Sequence, residues 1–208
     1  MTTVIIKQNG DECPDSYVDP MFPDTNYGTE DTLRIQKITT VLLQQAYLKF
    51  PFRGIPKNVI LNSVRLNLNI SIGSALMNLQ GRFNLQDWDE DGITFNRKPP
   101  MGDILFISEP LSGAGWVTID IPITDTVRKW IQGLIPNYGF TLFPDNGVGD
   151  LYGKFSSGEG PEEDRPYLEI DYTVIPAGAK APDGPIPELP EEVKKKYAEI
   201  VKKHKGII

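Results

Sequence analysis

The chain has a single histidine, a single cysteine and no long uninterrupted apolar run, and each shortage closes a class of function. His204 lies among Lys202, Lys203 and Lys205 near the C-terminal end. A Ser-His-Asp or Cys-His catalytic site in the body of the chain is therefore excluded, and so is a histidine zinc site. Cys13, standing alone, forms neither an intramolecular disulfide nor a thiolate metal cluster, and reads as a small buried thiol. No segment approaches the ~18 consecutive apolar residues that suggest a membrane span. The opening MTTVIIKQNGDECP lacks the basic start and long apolar stretch of a signal peptide. Glycine-rich phosphate loops of the Walker or Rossmann kind are missing as well.

Positive charge is scarce and unevenly placed. The formal net charge is -7, from 21 basic against 28 acidic residues. Beyond Ile175 there are seven lysines and five acids, which leaves the preceding body with 14 basic and 23 acidic groups, a net of -9. Such a body repels the phosphate backbone that supplies non-specific nucleic-acid affinity, so no nucleic-acid partner is expected. Cations fit it better.

What remains is a chain of 208 residues, 39% hydrophobic and 24% charged, which is enough for one core with an appendage. Short β-branched or aromatic runs at 4–7, 32–36, 41–50, 63–72, 79–85, 116–121, 138–143, 154–156 and 167–174 alternate with turn residues and read as strands. The clearest is Val64 to Ile70, where Val64, Leu66, Leu68 and Ile70 share one face and polar residues the other. One short helix is expected from Asp125, capped by Thr124, with Val127, Trp130 and Ile131 turned inward and Gly133 ending it. The fold class is all-β: an antiparallel β-sandwich of jelly-roll type over 1–175. Residues 176–189, rich in Pro, Gly and Ala, read as a linker. Residues 190–208 read as a lysine-rich amphipathic helix whose stripe of Val193, Tyr197, Ile200 and Val201 needs a surface to cover it. That surface is expected on a protein partner or a second copy of the chain, or by folding back on the sandwich itself.

The order of the blocks is specific in combination. Asp15-Ser16-Tyr17-Val18 is followed by Asn26-Tyr27-Gly28, Thr32-Leu33-Arg34-Ile35 and Tyr47-Leu48-Lys49-Phe50. Later come Trp88 to Asn96 with Pro99, Trp116, Asp120 to Trp130, Asn137-Tyr138-Gly139-Phe140, Phe155-Ser156-Ser157 with Glu159, and Arg165-Pro166-Tyr167-Leu168. Over 11–174 this pattern resembles the DNRLRE domains, a family overlapping carbohydrate-binding module family 96. The resemblance implies a non-catalytic jelly-roll module of extracellular, cell-surface and some viral proteins, some of which bind polysaccharide. Phe95 stands where the family usually has tryptophan.

Three oxygen-rich groups are candidate calcium sites. Asp87, Asp89 and Asp91 have the D-x-D-x-D-G spacing of the first half of an EF-hand loop, although its second half is missing and an acidic turn explains the same residues. Asp145 and Asp150 flank a second such loop, whose Asn146-Gly147 step also reads as a plain turn. Asp15 and Glu159 form a third group at one edge. For ligand contact the candidates are Tyr27, Arg82, Arg97, Tyr138 and Tyr152, while Trp88, Trp116 and Trp130 are expected in the core. The two Asn-Tyr-Gly steps are expected to be tight turns in which glycine takes a positive φ. The function expected is a non-catalytic structural or adhesive module, displayed on a virion or cell surface and docked by its tail helix. The alternative is a calcium-assisted binder of an acidic polysaccharide. A glycoside-cleaving carboxylate pair is the third and weakest option.

Overall fold

The computed structural model describes residues 1–9, 12–38, 41–145 and 149–176. The expected linker and tail helix, with Val193, Tyr197, Ile200 and Val201, lie outside the described residues, as do Asn146 to Val148 of the second acidic loop.

The strands in chain order are β1 (Thr2–Lys7), β2 (Asp15–Val18), β3 (Thr32–Ile38), β4 (Val41–Leu42), β5 (Gln45–Leu48) and β6 (Val59–Asn84). They continue with β7 (Met101–Ile107), β8 (Leu111–Asp120), the helix α1 (Asp125–Ile131), β9 (Phe140–Asp145), β10 (Leu151–Ser156) and β11 (Tyr167–Val174). Every strand pairing is antiparallel. The strands wrap into two packed sheets, as the alternation predicts.

The organising strand is β6. Sequence alone separates 63–72 from 79–85, yet the 26 residues run as one strand that belongs to both sheets. Its first half pairs with β11 and β10 on one side and with β8 on the other; β1 extends from β11, and β3 and β4 from β10. The second half pairs with β9 and β7, and β5 and β2 continue from β9. A register shift between Ile72 and Met77 marks the crossing. An irregularity of this kind lets a strand bend from one layer into the next without ending.

The period-2 pattern of β6 places the core. Val64, Leu66, Leu68 and Ile70 are buried, facing Leu33, Ile35, Phe155, Leu168 and Ile170 from their own sheet and Leu48, Phe140 and Leu142 from the other within one hydrophobic cluster. Each fully buried leucine contributes about 1.5–3 kcal/mol through water removed from its surface. The helix closes one end of this core. Thr124 caps it by accepting from the Val127 amide at 3.1 Å, and Val127, Trp130 and Ile131 are buried. The Trp130 ring meets Phe52, Phe83 and Phe140 edge-on, at centroid distances of 4.6, 5.4 and 6.1 Å.

A second, smaller core lies on the outer face of the other sheet. Residues 85–100 fold across it and bury Trp88 and Ile93 against Val18 and Tyr47. Trp88 is anchored by donating its indole N–H to the Tyr138 carbonyl at 2.8 Å.

The two Asn-Tyr-Gly turns share a side-chain device. Asn26 and Asn137 each accept the N–H of the glycine two residues on, at 3.1 Å, which closes the turn. Their amide groups then reach a distant segment: Asn26 donates to the Glu90 and Ile93 carbonyls, and Asn137 to the Phe50 carbonyl. The glycines differ in reason. Gly139 has the expected positive φ of 70°, whereas Gly28 is not among the positive-φ glycines and is required because a Cβ there would lie 2.7 Å from the Glu90 carbonyl oxygen.

Gly139 carries both constraints at once, since a Cβ on it would strike the Leu48 carbonyl. Gly133 has a similar φ of 67° but faces open space. Gly139→Ala is expected to destabilise by about 2–5 kcal/mol, combining the left-handed penalty with a backbone clash. Gly133→Ala should cost only about 1–2 kcal/mol. Urea denaturation midpoints at constant m-value check the difference.

Candidate functional site

Two features could support binding chemistry: an aromatic and amide face on the outside of the β8–β6–β11 sheet, and a knot of carboxylates at one edge of the sandwich.

The outer face follows from strand parity. Because Leu66, Leu68 and Ile70 point inward, Arg65, Asn67, Asn69 and Ser71 point outward. In the register, Asn69 faces Trp116 on β8, and Asn67 faces Thr118 on β8 and Tyr167 on β11. Trp116 and Tyr167 thus stand on opposite sides of β6 and lean together above it, with ring centroids 5.5 Å apart and planes tilted by 54°. Trp116 is 46% exposed, which corrects the expectation that it packs in the core. Trp88 and Trp130 are buried as expected. Ser112-Gly113-Ala114-Gly115 precedes Trp116, so its strand carries no bulky neighbour on that side.

Polar groups surround the ring pair. The Thr118 hydroxyl donates to the Asn67 carbonyl oxygen at 2.6 Å, and the Asn69 amide donates to Asp164 at 2.5 Å. The Asn67 amide nitrogen is buried without a hydrogen-bond partner. Further along β6, Arg65 bridges Glu169 and Asp171 at 2.5 and 2.8 Å, and Thr3 and Ser63 also donate to Asp171. These bonds hold the Asp171 carboxyl below its ordinary pKa.

The five ligand candidates read from sequence are scattered. Tyr152 is exposed on β10 and shares the outer face with Trp116. Arg82 lies on the outer face of the other sheet, half-buried, donating to Gln80 and to the Gly102 carbonyl. Tyr27 is half-buried and stacked on Tyr17 at 4.2 Å, with its hydroxyl pKa raised by burial. Tyr138 is half-buried in its turn, and Arg97 is exposed in a 3-10 turn.

The acidic groups part company in the same way. In the 87–92 loop, Asp87 is exposed and paired with Lys49 at 2.7 Å, and Asp89 and Asp91 are exposed. Asp145 is buried and accepts from Gln80 at 3.0 Å, while Asp150 is exposed. Asp15 and Glu159 do meet, and a third carboxylate joins them that the calcium spacing did not assign to a cation: Glu90, from the middle of the first loop. One oxygen from each of the three lies within 4.8 Å of the others.

Beside the segment that carries Asp15, two adjoining grooves of about 380 and 450 Å³ share Pro51, Arg53 and Asn137, and the first is also lined by Glu12 and Pro14. Lys49 lines one and Lys57 the other, beside Phe52, Ile55 and Ile135. Arg53 is ion-paired with Glu12 at 3.5 Å.

A two-layer sandwich that offers exposed rings among amides, hydroxyls and carboxylates has the build of a sugar-binding module. The chain belongs to carbohydrate-binding module family 96, whose model matches residues 10–172. Comparison with curated proteins finds no match.

The burial contrast among the tryptophans is directly measurable. Acrylamide is expected to quench one accessible fluorescence component, and Trp116→Phe should remove it while leaving the emission of Trp88 and Trp130 shielded. A quenchable component that persists in this variant would place another indole at the surface.

Proposed function

We propose that this protein is a non-catalytic polysaccharide-binding module whose contact surface is the outer face of the β8–β6–β11 sheet. The observation that carries the reading is Trp116: a large indole at the surface, leaning on Tyr167, beside Asn67, Asn69, Thr118 and Asp164. A flat ring offers the C–H side of a pyranose an apolar platform, and the neighbouring amides and carboxylate satisfy its hydroxyls. Membership of a carbohydrate-binding module family points the same way. The non-catalytic part rests on the residue inventory, because the single histidine is in the tail and no histidine-activated nucleophile can form in the body.

The ligand class is a finer part of this proposal. An acidic polymer needs local positive charge on a body of net -9; Lys57 beside the second groove would supply it, together with Lys49 and Arg53 where a polymer carboxylate displaces their Asp87 and Glu12 partners. The displayed, tail-docked subunit is a separate reading, supported by the acidic body and the basic amphipathic pattern of 190–208. Removing Gly184 to Ile208 would abolish assembly under that reading and leave a folded module; assembly that persists overturns it.

Affinity electrophoresis against neutral and uronate polysaccharides, with and without calcium, tests the main proposal. Trp116→Ala is expected to weaken binding at least about tenfold, as loss of a central aromatic anchor does, with little change in melting temperature. Arg53→Ala with Lys57→Ala should act only on uronate polymers. Retention that Trp116→Ala leaves untouched overturns the assigned face.

A further inference from the structure

We infer that Asp15, Glu90 and Glu159 form a structural calcium site that fastens three chain segments far apart in sequence. The three oxygens lie within 4.8 Å of one another, a span that one ion bridges with bonds of about 2.3–2.6 Å. Asp15 is the decisive group. It is 1% exposed, and its Oδ2 accepts from the Gly158 amide at 2.7 Å, whereas its Oδ1 is buried without a hydrogen-bond partner. A carboxylate oxygen in that position is costly unless something positive meets it.

The surroundings are built, not incidental. Glu90 is turned inward by its own backbone: the Asn26 amide donates to the Glu90 carbonyl at 2.6 Å, and Gly28 packs beneath it. Its Oε1 accepts from the Asp15 amide at 2.7 Å, so the two segments are already joined. Glu159 is set by the Ser157 hydroxyl, which accepts from the Glu159 amide at 3.2 Å and donates to the Glu30 carbonyl at 2.7 Å. Loops near residues 26–31, 88–93 and 157–160 therefore converge on the group.

Like charges crowd the group. Among the described residues the Arg165 guanidinium lowers the Asp15 carboxyl only as the smallest of the named influences, and its Nε donates to the Gly160 carbonyl at 2.9 Å. Burial and the mutual repulsion of Asp15, Glu90 and Glu159 hold the Asp15 carboxyl well above its ordinary range, and burial pushes Glu90 up to about 7. A divalent ion removes that repulsion. The donors are all hard oxygens; the nearby Cys13 thiol is turned to the Lys7 carbonyl and held neutral by burial, which pushes it up to about 11. This chemistry selects calcium over zinc or copper.

The test uses the full chain and calcium alone, with no sugar present, so its result is independent of the Trp116 face. Titration calorimetry after chelation at pH 7.5 is expected to show one calcium per chain. Saturating calcium should raise the melting midpoint by roughly 5–10 °C, since an ion held only by the native state stabilises it by mass action. Glu90→Gln and Glu159→Gln should abolish both effects, and Asp87→Asn and Asp91→Asn should preserve them. Absence of binding heat and of a calcium-dependent shift in the unaltered chain overturns the site, and that reading stands even if a variant fails to fold. Calcium binding lost in Asp91→Asn but kept in Glu90→Gln also overturns it, by moving the ion to the exposed loop.

Discussion

Everything in this sandwich depends on β6 burying alternate side chains while belonging to two sheets. Its first half supplies Val64, Leu66, Leu68 and Ile70 to the core and its second half supplies Leu79. Slipping the strand by one residue would exchange Leu66 and Leu68 for Arg65, Asn67 and Asn69. The same parity that fixes the interior therefore also fixes which side chains face outward. The polar row beside Trp116 is a by-product of core packing, and needs no separate scaffold.

Much of this was legible from residue order. The alternation in 64–70 gave the sheet faces, and the Thr124 cap with Val127, Trp130 and Ile131 gave the helix, because both signals are local. The strand β7 was not legible. It follows Pro99-Pro100, and its buried residues Leu105 and Phe106 are adjacent, so it has neither a clean start nor a period of two. The continuity of β6 was hidden for a related reason: 73–77 contains a register shift, and pairing partners far along the chain, such as Leu111 for Met77 and Asp145 for Asn78, decide whether a strand continues there.

The site residues show which kind of information sequence withholds. Trp116 was assigned to the core on residue type, although it shares parity with the exposed Thr118 and Asp120, while Ile119 is buried and Val117 packs against the core. Parity was the better guide. Glu90 was not grouped with Asp15 and Glu159 because the D-x-D-x-D spacing draws attention to the alternate residues, and nothing local says that the intervening one turns inward. That orientation comes from the Asp89 carbonyl accepting the Gly92 and Ile93 amides, and from Asn26, which lies 64 residues away.

The glycine-bearing strand that presents Trp116 also bears on self-association. Among the described residues β8 pairs only with β6, so its outer backbone edge is available to a strand from another molecule. Open edges of this kind template aggregation when they are long and flat. Gly113 and Gly115, at φ of 72° and 130°, carry the backbone out of the regular β conformation immediately before the indole. The edge is thereby a poor template for a neighbouring copy, and a surface indole can be displayed on it without recruiting other chains into a continuous sheet.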